Sequence, residues 1–244
     1  MFKKVLLRSI AGATALGSVL AVSLVATPAV VTSAPEIRNV ACSLPYPTSV
    51  STNTGVSLTR AVAAYGAATT ATATVTRDDA GKQPKGTVRF LLRGAVNKSW
   101  TVTLRSGQAS VALPRTLPAS NTYSITAKYF PPSCSIFKRS SGSASYTVFK
   151  ADTRTSVNAP DIRRTEKPSA KVVVRSTLTP VGKVRVALVR NGDVIAAQTE
   201  QLSGGRASAT FGKVRPGKYT MKVKYLGTAN FRASSGADTF RVRR

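Results

Sequence analysis

The stretch Pro216-Gly217-Lys218-Tyr219-Thr220-Met221-Lys222-Val223-Lys224-Tyr225 decides the fold. A turn pair opens it and strict alternation follows. Tyr219, Met221, Val223 and Tyr225 fall on one side, and Thr220, Lys222 and Lys224 fall on the other. A period of two marks a strand with one face buried and one face wet. A twin lies 96 positions earlier, with Tyr123 at the place of Tyr219: Asn121-Thr122-Tyr123-Ser124-Ile125-Thr126-Ala127-Lys128-Tyr129. One strand pattern therefore occurs twice, and in the second copy its wet face is cationic.

Working outward, the rest of the chain repeats with it. Gly86-Thr87-Val88-Arg89-Phe90 corresponds to Gly182-Lys183-Val184-Arg185-Val186, and Gly107-Gln108-Ala109-Ser110 to Gly205-Arg206-Ala207-Ser208. Phe137 with Ser140-Ser141-Gly142 corresponds to Phe231 with Ser234-Ser235-Gly236. Two aligned copies predict two domains, 54–150 and 151–244, rather than one large one. In the second copy the spacing predicts strands over 154–157, 170–178, 183–189, 194–202, 206–211, 218–226 and 239–243. Asn191-Gly192 supplies a hairpin turn, and Ser203-Gly204-Gly205 the next corner. No helical period occurs after the leader. The pattern predicts an all-β chain of two tandem immunoglobulin-like β-sandwiches. In the first copy Val88, Phe90 and Leu92 are expected to face inward, and Trp100 and the tyrosines to be core residues.

The residues Pro84-Lys85-Gly86-Thr87-Val88-Arg89-Phe90, Gly94, Gly107-Gln108-Ala109, Leu117-Pro118, Tyr123 to Tyr129 and Ser140 resemble the bacterial Ig-like repeat of group 3. That family occurs in secreted and surface proteins, notably of actinobacteria. The resemblance implies an adhesive, spacer or stalk module without catalytic residues, and it names no ligand. The second copy departs by carrying Lys183 and Arg185 where the family usually has Thr. The first departs at Phe130-Pro131-Pro132-Ser133-Cys134, which replaces a Gly-Asp-like turn. Val214-Arg215-Pro216-Gly217-Lys218-Tyr219 is similar to the tyrosine corner of such sandwiches. This gives Tyr219, and by position Tyr123, a structural role.

Composition limits the chemistry. The 244 residues hold 36 Lys+Arg against 9 Asp+Glu, a formal charge of +27, and no His. Without His, the commonest general base and metal ligand is missing, and Ser-His-Asp or Cys-His arrangements are excluded. Asp78-Asp79 reads as an exposed turn, since the acidic alternation of a calcium loop is lacking. No catalytic, cofactor-binding or metal-binding set is expected, and the chain does not read as an enzyme. The charge bears on partners rather than fold.

Lys3, Lys4 and Arg8 precede an uncharged run from Ser9 to Pro35 with an apolar centre around Leu16 to Val25. Thr27-Pro28-Ala29 places small residues where a signal peptidase reads. Residues 1–29 are therefore expected to be a secretory signal peptide, cleaved somewhere between 29 and 41. The competing reading, an uncleaved anchor, is weakened by the many small residues. No integral membrane segment is expected after its removal. A segment 30–53 follows. In an oxidising compartment its Cys42 is expected to pair with Cys134, pinning the tail beside the first copy's loop that holds Cys134. Closing a loop of about 90 residues contributes about 4 kcal/mol in the chain-entropy account.

Strand parity also places the charge. Lys183 and Arg185, Lys222 and Lys224, and Arg241 and Arg243 are expected to face outward on one sheet of the second copy. The matching positions of the first copy (Thr87, Arg89, Leu91, Ser124, Thr126, Lys128, Thr147 and Phe149) are mostly uncharged. The six cations form the expected binding face, for an anionic wall polymer or glycan, with nonspecific nucleic acid held at low salt. This places any such binding in the second copy. The alternative is a spacer or protein-interaction module with no such ligand. Non-reducing peptide mapping of the secreted protein should recover Cys42 and Cys134 in one linked product. Two freely alkylated thiols would remove the bridge.

Overall fold

The computed structural model describes residues 49–79 and 81–244. The leader, most of the segment 30–53 and Cys42 lie outside the described residues. Sixteen strands, and no helix, are seen among the described ones. In the first half these are β1 (Thr52–Leu58), β2 (Val62–Ala64), β3 (Thr70–Arg77), β4 (Thr87–Arg93), β5 (Lys98–Thr103), β6 (Gln108–Ala112), β7 (Asn121–Phe130) and β8 (Ser140–Phe149). The second half has β9 (Arg154–Asn158), β10 (Ile162–Arg163), β11 (Ser169–Arg175), β12 (Lys183–Arg190), β13 (Asp193–Gln201), β14 (Arg206–Thr210), β15 (Gly217–Tyr225) and β16 (Ser234–Arg243). Sheet β1-β3-β6 packs on sheet β2-β8-β7-β4-β5. The second half repeats this order as β9-β11-β14 and β10-β16-β15-β12-β13.

The alternation sets the cores. Tyr219, Met221, Val223 and Tyr225 on β15 are buried, as are Val184, Val186 and Leu188 on β12 and Phe240 and Val242 on β16. They meet Ala170, Val172 and Val174 from β11 in one cluster. The first half builds the same cluster from Val88, Phe90 and Leu92 with Tyr123, Ile125, Ala127 and Tyr129 against Ala71, Ala73 and Val75. Trp100 is half-buried against this cluster. Each fully buried large side chain contributes about 1.5–3 kcal/mol.

The tyrosine hydroxyls are not left unpaired at the rim of this core. Tyr219 donates to the Arg215 carbonyl at 2.7 Å, and Tyr123 donates to the Pro118 carbonyl at 3.0 Å. At the other end of the same strands, Tyr225 donates to the Val181 carbonyl and Tyr129 to the Lys85 carbonyl, both at 2.6 Å. Burial raises the phenol pKa of Tyr129 and Tyr225 above the ordinary value. Each of β7 and β15 is thus tied to a turn at both ends. The second pair of ties was not read from the sequence.

Three features depart from the sequence reading. First, β2 and β10 are short strands that pair in parallel with β8 and β16. Second, β1 begins at Thr52, two residues before the expected boundary. Third, β16 starts at Ser234 rather than 239 and pairs with β15 over nine residues. Ser-Ser-Gly reads as a turn, yet here it is strand, because β9 crosses close over it. A Cβ on Gly236 would lie 2.6 Å from the Thr155 carbonyl oxygen, and one on Gly142 would overlap the Thr54 carbonyl oxygen outright. Beside these glycines Ser140 shares hydrogen bonds of 2.7 Å with the hydroxyls of Thr52 and Thr54, and Ser234 does the same with Thr153 and Thr155. Small residues are what let the two sheets close at this edge.

The described residues of the two halves belong to one compact unit. Between β8 and β9 the buried Ala151 donates its backbone N–H to the Asn230 carbonyl and accepts at its own carbonyl from the Arg232 N–H, both at 2.9 Å. The Asn230 side-chain oxygen accepts from the Ala119 backbone N–H at 3.0 Å. Tyr65 packs against both cores and meets the Phe231 ring edge-on at 5.3 Å. The connection is therefore held by the loop between β15 and β16 rather than left as free chain.

Replacing Gly142 or Gly236 by Ala should cost about 1–3 kcal/mol or more, read as a lower urea midpoint. Gly212→Ala, where nothing lies within 4 Å of the added methyl, should change the midpoint little.

Candidate functional site

The outer face of sheet β10-β16-β15-β12-β13 gathers the cations. Lys183, Arg185, Lys222, Lys224, Arg241 and Arg243 are all exposed there. The register shows how they group. Arg185 lies directly opposite Lys224, Lys222 opposite Ala187 and Ala237, and Lys224 opposite Ser235. On the other side Arg185 faces Thr199 and Lys183 faces Gln201. Arg241 instead lies opposite Lys218, four residues further along β16 from Ala237. Arg243 is further still, beside Arg163. The six do not pave one surface. They form one group around Arg185 and Lys224 and another around Arg241, separated by Thr220 and Thr239.

The second group is partly neutralised. Asp161, just before β10, accepts from the Arg241 backbone N–H at 2.8 Å and meets the Arg243 guanidinium at 3.0 Å. The Arg241 N–H and then the Arg243 side chain hold the Asp161 carboxyl below the usual carboxylate range. This pairing was invisible while β10 was unrecognised. Of the three ion pairs among the described residues, none involves Lys183, Arg185, Lys222 or Lys224.

That first group borders a shallow groove of about 460 Å³, lined by Arg185, Ala187, Lys222, Lys224, Gly236 and Ala237. Its floor is made of small side chains, so the three cationic side chains rise around it. Like charges directly opposite on neighbouring strands repel. An anion seated between them would remove that cost and meet a guanidinium fork and two ammonium groups. Proton transfer and metal chemistry have no comparable set: no cluster of three or more His, Cys, Asp or Glu occurs among the described residues.

Tyr219 and Tyr123 occupy the turn-facing ends of β15 and β7 described above. Arg190 lies over the Tyr219 ring at 5.4 Å. Cys134 sits in the loop between β7 and β8 with φ of +63°, while its expected partner Cys42 is outside the described residues.

Residues 46–149 match the family described as bacterial Ig-like domain (group 3). This segment is similar to that family, whose domains are generally non-catalytic and often extracellular. No helix among the described residues is long and apolar enough to cross a membrane. No curated protein matches the chain. Among solved structures, the crystal structure of a DUF4785 family protein from Legionella pneumophila aligns at 13% identity with a TM-score of 0.34. The alignment covers 74% of this chain and 53% of that one, so the chain spans about half the length of that protein. A likeness at that level carries no functional weight.

Replacing Arg185 and Lys224 together by Gln should raise the thermal midpoint at low salt by about 2 °C, because a facing like-charge pair is relieved. The gain should vanish as added salt screens the pair. A destabilised variant at low salt would show that the pair is not repulsive.

Proposed function

We propose that the chain is a non-enzymatic, secreted or surface-held Ig-like protein that adheres to anionic polymers of the cell envelope or its surroundings. The observation that supports this most is the facing pair Arg185 and Lys224, joined by Lys222 around a small-floored groove and without an acidic partner among the described residues. The basic leader with its apolar centre and the +27 charge agree with export and with polyanion attraction. Binding proceeds by charge pairing with release of condensed counterions, which makes it steeply dependent on salt and weakly selective.

A spacer or protein-interaction module is the second reading, favoured by the tightly held junction at Ala151, Tyr65 and Phe231. The two separate in one measurement. Retention on an immobilised anionic wall polymer should be released by moderate salt and weakened at least tenfold by Arg185→Gln, Lys222→Gln and Lys224→Gln combined, about two to three charges' worth of salt slope. Retention indifferent to both salt and these substitutions would leave the spacer reading.

A further inference from the structure

The cationic pair is not confined to the second sandwich. On β4 and β7 of the first, Arg89 lies directly opposite Lys128, as Arg185 lies opposite Lys224. The match extends to both neighbours. Arg89 faces Thr101 on β5, and Arg185 faces Thr199 on β13. Lys128 faces Ser141 on β8, and Lys224 faces Ser235 on β16. Each sandwich thus carries one transverse row, Thr-Arg-Lys-Ser, running across four strands. All eight residues are exposed, and no member is engaged in an ion pair with another of the described residues.

We propose that each row is an oxyanion site, and that the chain therefore grips anionic polymers at two places, one per sandwich. The proposal rests on the adhesive reading above and extends it to residues Thr101, Arg89, Lys128 and Ser141. The chemistry of the row suits the ligand. Two hydroxyls donate at the flanks, a planar guanidinium offers paired N–H groups, and an ammonium adds a compact charge. Neighbouring strands lie about 4.8 Å apart, so four strands span about 14 Å. That length takes consecutive anions of a phosphate, sulfate or carboxylate polymer better than one isolated ion.

The two sites are built differently beside the shared row. In the second sandwich the adjoining positions are Ala187, Lys222 and Ala237, which leave the groove open and add a cation. In the first they are Leu91, Thr126 and Ser143, which fill it. The first site opens instead toward β8 and the loop before it. There a depression of about 320 Å³ is lined by Lys128, Phe130, Arg139 and Ser141. Arg139 is held over the Phe130 ring at 5.1 Å. Each site therefore has a third cation, Lys222 in one and Arg139 in the other, on opposite sides of the row. Once a long polymer is held at one site, the second contact becomes intramolecular and avidity follows.

The test uses the full chain with two probes, tripolyphosphate and long-chain polyphosphate, followed by titration at several salt concentrations. The wild type should bind two tripolyphosphates per chain, and Arg89→Gln/Lys128→Gln only one. On long-chain polyphosphate that variant should lose roughly tenfold or more in affinity and lower the salt slope by roughly 1.5. Arg185→Gln/Lys224→Gln should also keep one tripolyphosphate site. The proposal is overturned if Arg89→Gln/Lys128→Gln matches wild type in stoichiometry, long-chain affinity and slope while the Arg185→Gln/Lys224→Gln variant loses all binding. That result would leave single-site adhesion standing. A wild type that binds neither probe would overturn both readings. The substituted side chains are exposed, and an unchanged unfolding midpoint at high salt verifies that each variant is folded.

Discussion

The Tyr225 hydroxyl bound to the Val181 carbonyl at 2.6 Å fixes where β15 lies against β12. Val181 sits just before β12, so the bond ties the end of one strand to the start of its neighbour. The pairing Val184 with Tyr225, Val186 with Val223 and Leu188 with Met221 then follows. A slip of one residue would turn every one of those side chains to water and drive Lys222 and Lys224 inward. The Tyr129 hydroxyl on the Lys85 carbonyl holds β7 against β4 in the same way. Core and surface share this dependence, since the register that buries the apolar residues also sets Arg185 against Lys224.

The charge on that surface is tolerated because the core outweighs it. A like-charged cross-strand pair costs at most about 1 kcal/mol, while a single well-buried aromatic or aliphatic side chain contributes about 1.5–3 kcal/mol. Tyr219, Met221, Val223 and Tyr225 on one strand alone exceed the repulsion among its neighbours. A fold with so much burial on the inner face is free to keep an unneutralised pair on the outer one. Where an acid is present, at Asp161, the Arg243 guanidinium is already paired and offers less to a ligand.

Alternation made most of this legible in the sequence. The inward sets on β4, β7, β12 and β15 are long enough for a period of two to show, and the repeat gave each a second instance. The short strands β2 and β10 hold three and two residues, too few for any period. Ser234 to Asp238 resisted reading because small polar residues signal a turn locally. Their smallness here answers to the Thr155 backbone, 79 or more residues away in sequence. The Thr-Arg-Lys-Ser rows were hidden for a related reason. Each row takes one residue from each of four strands, so only cross-strand register reveals it. Judged strand by strand, Arg89 stands between Thr87 and Leu91 and Lys128 follows Ser124 and Thr126, so neither marks a site.

The parallel pairing of β2 with β8, and of β10 with β16, has a mechanical side. In each sandwich the chain enters near the first member of the pair and leaves along the second. Tension along the chain pulls two parallel neighbours past each other lengthwise. Their hydrogen bonds, with those from Tyr65 to Phe149 and from Arg164 to Arg243, are loaded together in shear rather than opened one by one. The Asp161–Arg243 ion pair lies on the same seam. A sandwich built this way yields least to tension along the direction of those paired strands.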